Sequence, residues 1–161
     1  MSNTYAVPRL TSKGQVTVPV GVRYALDIGP GDSVVFAVED GRGVFRKATA
    51  LDGLRAWSAA EPRADAHPLE RLLVEGDDAF ARDVEDHRRR GVRMRLPDAV
   101  LLDIAASLVR RGAPARALAE VLRDVLADRA VRVDHPRAVR AAIDDLAIGA
   151  DPVRAYALAR G

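Results

Sequence analysis

The chain has 161 residues, a formal net charge of +2 and no cysteine. That length accommodates one ordinary domain, or a small module followed by a second compact one, and the missing cysteines exclude disulfides and thiolate metal sites. A hydrophobic fraction of 48% argues against disorder, no apolar run approaches the ~20 residues of a bilayer span, and Met1-Ser2-Asn3-Thr4-Tyr5 lacks the basic and apolar regions of a secretory signal, so a cytoplasmic protein without a membrane partner is expected.

Residues 5–48 read as β-rich. Val16 and Val18 alternate with Gln15 and Thr17, the pattern of a half-buried strand. Pro19 presets a first helical turn, Val22 and Leu26 share a face, and Gly29 is expected to end the helix in a left-handed conformation. Gly29-Pro30-Gly31-Asp32 is a turn. Ser33 to Glu39 is a strand with Val34, Phe36 and Val38 on one face, and Asp40-Gly41 turns the chain into a partner strand over Val44 to Lys47. Residues 51–64 read as a linker or short helix, with Leu51, Leu54 and the sole tryptophan, Trp57, on one side.

Helices dominate from residue 65. The periodicity predicts helices over Pro68 to Val74, from Asp77-Asp78 to about Arg90, from Pro97-Asp98 through Arg111, and from Ala113-Pro114 through Val125. A further helix runs from Pro136 to Ile148, and Asp151-Pro152 opens a last one. Val92 to Leu96 and Ala130 to Asp134 are short strand candidates, so strand and helix alternate in a βα manner.

A module of about fifty residues buries too little apolar surface to be comfortable alone, and its strands leave open edges. Interleaving with an identical copy solves both problems. Thr11-Ser12-Lys13-Gly14-Gln15-Val16-Thr17-Val18-Pro19, followed by Val22-Arg23-Tyr24-Ala25-Leu26, Gly29-Pro30-Gly31-Asp32 and Phe45-Arg46-Lys47-Ala48, resembles the AbrB/MazE/SpoVT swapped-hairpin family over residues 5–50. The resemblance implies a homodimeric β-barrel that binds double-stranded DNA, as in transition-state regulators and in antitoxins that repress their own operons. The chain departs at Val20-Gly21, where the family usually carries a charged pair.

On such a barrel Arg9, Lys13 and Arg23 share one face with Gln15 beside them. Arg and Lys neutralise phosphates or reach guanine edges, Gln pairs with adenine, and Ser12 with the Gly14 amide holds phosphate oxygens. A twofold dimer would read a roughly palindromic site. Arg9, Ser12, Lys13, Gln15 and Arg23 are therefore the DNA-binding candidates. A purely structural dimerisation barrel is the plainer alternative.

Residues 65–160 resemble a degenerate, truncated PIN ribonuclease domain, through Asp65-Ala66-His67-Pro68-Leu69-Glu70, Leu96-Pro97-Asp98 to Asp103-Ile104-Ala105, and Gly149-Ala150-Asp151-Pro152-Val153-Arg154. A PIN site gathers three or four carboxylates around Mg²⁺ or Mn²⁺. Here the third acidic position falls on Arg154, and no apolar strand precedes Asp65. Asp65 and Asp103 are the only candidate metal ligands and read first as surface or capping carboxylates. Asp98 reads as a helix N-terminal residue, and Arg88-Arg89-Arg90 as a solvated helix end. No metal and no cofactor are expected.

The sequence thus predicts an α+β chain with a swapped-hairpin β-barrel, formed by a homodimer, over residues 1–50. A linker or short helix over 51–64 precedes a mainly helical PIN-like domain over 65–161 for oligomerisation or for partner or effector binding. The expected function is operator binding without catalysis. The rivals are a fused antitoxin–toxin with a metal-dependent ribonuclease, and an antitoxin whose C-terminal part neutralises a separate toxin.

Overall fold

The computed structural model describes residues 8–57 and 66–161. Among them the fold is α+β and mainly helical, with eight helices and two small sheets of two strands each. Contacts divide the chain into two compact units, Met1–Thr49 and Ala50–Gly161. No helix among the described residues is long and apolar enough to cross a membrane.

The first unit holds helix α1 (Val20–Ala25) and strands β1 (Val34–Glu39) and β2 (Arg42–Lys47). Pro19 precedes α1 with φ −59°, the value its ring imposes. The helix ends on Asp27 rather than Gly29: Asp27 takes φ 51°, a left-handed conformation that a short polar side chain tolerates. The Ile28 amide then donates to Arg23 O at 2.9 Å and the Asp27 amide to Tyr24 O at 3.3 Å, the paired closure of a Schellman end. Gly29 instead donates its amide to Asp32 Oδ2 at 2.8 Å.

Strands β1 and β2 pair antiparallel from Val34↔Lys47 to Glu39↔Arg42. The two residues between them, Asp40 at φ 50° and Gly41 at φ 75°, form the type I′ turn whose twist matches a two-residue hairpin. Lys47 ties the hairpin base to the end of α1, donating to Asp27 O at 2.9 Å and meeting Asp32 Oδ2 at 3.0 Å. The Gly29 amide, and then Lys47, hold the Asp32 carboxyl below its usual 3.8.

Two features of this unit differ from the sequence expectation. Residues 16–18 join no ladder: among the described residues no strand pairs with them. The apolar face of β1 is also uncovered, with Phe36 70% and Val38 81% exposed. No described residue of the unit is buried. Within one chain it has no core.

The second unit has one. Its elements are α2 (Ala50–Trp57), α3 (Pro68–Val74), α4 (Ala79–Arg89), β3 (Met94–Arg95), α5 (Asp98–Arg110), α6 (Ala115–Ala127), β4 (Val131–Arg132), α7 (Pro136–Ala147) and α8 (Pro152–Arg160). Helix α5 is the centre: Leu101, Leu102, Ile104, Ala105, Ala106 and Leu108 are all buried, so the helix is enclosed on most sides. Around it α7 packs on α6 and α8, α2 on α6, and α3 on α4. Leu54 of α2 is fully buried, and Leu51 and Trp57 pack against the same core. The segment expected as a linker or short helix over 51–64 therefore begins as a helix, and that helix packs into the core of this unit; residues 58–64 lie outside the described residues.

Strands β3 and β4 pair in parallel over two positions, Met94↔Val131 and Arg95↔Arg132, with α5 and α6 in the crossover between them. The βα alternation is present, but the strands are shorter than the apolar runs suggested. Flanking arginines at positions 93, 95, 129 and 132 leave no continuous apolar stretch that a central strand requires. Among the described residues no larger parallel sheet forms.

Candidate nucleic-acid interface

Thr11 to Gln15 close a small hairpin loop. The Thr11 amide donates to Gln15 O at 2.9 Å, the Gly14 amide donates to Thr11 O at 2.9 Å, and the Gln15 amide donates to Thr11 Oγ1 at 3.1 Å. Gly14 sits at φ 73°. This is the three-residue loop in which a turn is followed by one left-handed residue, a position that favours glycine. The local sequence therefore lifts Ser12 and Lys13 to an exposed tip, with Gln15 at its base.

The candidate residues fall in two places. Arg9, Ser12, Lys13 and Gln15 lie on or beside this tip, and Arg23 lies in the last turn of α1; all five are exposed. Among the described residues neither Lys13 nor Arg23 has a carboxylate partner, and no hydrogen bond joins Arg23 to the tip. Lys47 is different, since its charge is matched inside the unit by Asp32 and Asp27.

Around these cations lies uncovered apolar surface. Leu10 is 70% exposed and Tyr24 83%, and Val16 and Val20 are also exposed. Phe36 and Phe45 stack across the hairpin with ring centroids 4.9 Å apart. A hairpin with one apolar face and no layer against it is half of a sandwich. Polar tip and apolar face together suit a unit that meets a protein on one side and a polyanion on another.

In the second unit the acidic residues do local work. Asp65 lies outside the described residues; the capping role at α3 belongs to His67, whose Nδ1 accepts from the Leu69 amide at 3.1 Å and whose burial lowers its pKa. Asp103 is exposed on α5. Glu120 pairs with Arg116, and Asp151 caps α8 by accepting from the Arg154 amide at 2.9 Å. Among the described residues no group of three His, Cys, Asp or Glu side chains is arranged to hold a metal ion. The Arg88-Arg89-Arg90 run is matched by Glu85, Asp86 and Asp128.

Asp98 has a larger part than a helix start. It is 5% exposed and accepts from the Asp134 amide at 2.8 Å, the His135 amide at 3.0 Å and the Tyr156 hydroxyl at 2.7 Å, with His135 Nδ1 also 2.7 Å away. One carboxylate thus clamps α5, the β4–α7 loop and α8. Burial raises its pKa, but Tyr156, His135 and the two amides together outweigh burial and hold it below 3.8. With both oxygens engaged, it has no lone pair directed at a metal. The ionised form stabilises the fold above about pH 4, and that contribution is lost as pH falls through the lowered pKa. Asp98→Asn is expected to lower Tm at pH 7 and to lose this difference near pH 2, which calorimetry across that range checks.

No protein-family model matches the chain, and no curated protein and no solved structure matches it.

Proposed function

We propose that the chain is a homodimeric DNA-binding regulator in which two copies of the first unit close a swapped-hairpin barrel. The observation that carries this reading is a unit with well-formed turns and a regular hairpin but no buried residue among those described. Completing the burial of Phe36 and Val38 alone stabilises each protomer by about 2–5 kcal/mol. Residues 16–18, alternating and without a strand partner, supply the edge a second copy would take. Pairing also duplicates the Lys13 tip and Arg23 about a twofold axis, which suits a symmetric DNA site.

DNA is the favoured polyanion because the tip joins a flexible cation to a hydroxyl and a glutamine able to read a base edge. The second unit, with its own core, serves oligomerisation or effector binding. The carboxylates Asp98, Glu120 and Asp151 each have a structural partner, which favours this reading over a fused ribonuclease. Lys13→Ala and Arg23→Ala are each expected to weaken binding to a duplex from the chain's own promoter. For a dimer that loses two phosphate contacts, the slope of log K against log salt falls by about 1.8. Fluorescence anisotropy over a salt series measures both, and an unchanged affinity and slope in both variants would contradict the interface.

A further inference from the structure

The second unit pairs its surface arginines with acids wherever α4, β3 and α6 present them: Arg82 with Asp78, Arg89 with Asp86, Arg95 with Asp134, Arg123 with Asp144. Arg93, Arg129, Arg132 and Arg140, like several arginines elsewhere in the unit, have no such ion pair, but these four lie together. All four line one open pocket of about 250 Å³, floored by Val131 and Val133. Among the described residues none of the four has an ion-pair partner. The parallel pairing of β3 with β4 sets Arg93 beside the 129–132 segment, and Arg140 follows one turn into α7 from Pro136, which also lines the pocket.

The one acid in the pocket wall, Asp128, does not balance them. Its Oδ1 accepts from the Ala130 amide at 2.8 Å, and its Oδ2 accepts from Arg88 at 2.6 Å. Four arginines lining one concavity put like charges close together, and a bound anion turns that cost into affinity. Their planar forks match phosphate oxygens in pairs. The start of α7 on the rim adds the positive end of a helix dipole.

Size and lining narrow the ligand. The pocket lies just under the ~300–1,000 Å³ typical of sites for drug-sized molecules, so it takes a compact group rather than a whole dinucleotide. No aromatic side chain lines it, which removes the stacking platform of single-strand nucleic-acid grooves. We propose that this pocket is a binding site for the diphosphate group of a small phosphorylated compound. It stands on the second unit alone and does not depend on DNA binding by the first.

Isothermal titration of the full chain with inorganic pyrophosphate at about 0.15 M salt tests it. The expected result is saturable binding, one pyrophosphate per chain, with orthophosphate at least about tenfold weaker. Arg132→Gln and Arg140→Gln each weaken pyrophosphate by about tenfold or more, the loss of one charge-assisted contact. Arg123→Gln, beside the pocket but paired with Asp144, leaves affinity unchanged. Because the pocket arginines are exposed, their variants keep or raise Tm; a lowered Tm would mark them as structural and overturn the site. Absence of saturable binding, equal loss in Arg123→Gln, or arginine-dependent binding of duplex DNA without binding of pyrophosphate would each overturn it as well.

Discussion

Phe36→Asp is expected to convert the protein from dimer to monomer and to abolish its DNA binding. Phe36 stands 70% exposed in the middle of β1, opposite Phe45 on β2, at the centre of the face that a second copy would cover. Burying a carboxylate there without a partner costs several kcal/mol per protomer, and the proposed dimer would place two in one interface. Against a protomer gain of about 2–5 kcal/mol from Phe36 and Val38, the charge wins. Sedimentation velocity should show a single monomeric species at micromolar concentration. The second unit should keep its helical circular dichroism, since it has a hydrophobic core of its own. A dimer of undiminished stability would place the contact elsewhere.

The second large effect is in the core of the second unit. Glu70 on α3 is fully buried and takes the Arg111 guanidinium at 3.1 Å, where Arg111 follows the end of α5 and is a quarter exposed. Breaking such a pair costs about 3–5 kcal/mol, while replacing both members by apolar side chains is far milder. Arg111→Met is therefore expected to cost more than Glu70→Gln, because it leaves the fully buried group without the Arg111 charge. For a unit of this size the loss in Tm is roughly 12–20 °C. The double variant Glu70→Leu, Arg111→Met should recover most of it. Thermal melts of the three variants give the order, and the reverse order of the single variants would contradict it.

Local signals were legible in the sequence and tertiary ones were not. Asp40-Gly41 announced the hairpin because a two-residue loop demands two positive φ values, and Asp151-Pro152 announced α8 because both act within one turn. The glycines at 29 and 31 signal a helix end, but α1 closes earlier at Asp27, whose left-handed conformation goes with a tie to Lys47 that no local signal shows. The sequence over 51–64 reads as a linker or a short helix; the structure has helix α2 at its start, and its burial against α6, far along the chain, is what the sequence does not show.

The Asp98 cluster illustrates the limit. His135 and Tyr156 reach Asp98 from 37 and 58 positions away, and no spacing rule connects them. The arginine pocket was hidden likewise, since Arg93 joins Arg129, Arg132 and Arg140 only through the β3–β4 pairing. Arg23 and the Lys13 tip are the remaining case: no hydrogen bond among the described residues joins them, and the proposed second copy would set their relation.

Native mass spectrometry of the full chain with a short duplex from its own promoter tests the central claim most directly. The account predicts a complex of two chains per duplex, with free protein also dimeric, and the complex lost in Lys13→Ala, Arg23→Ala double variants that remain dimeric. A monomeric free protein, or one chain per duplex, or no complex even at low salt, would contradict it.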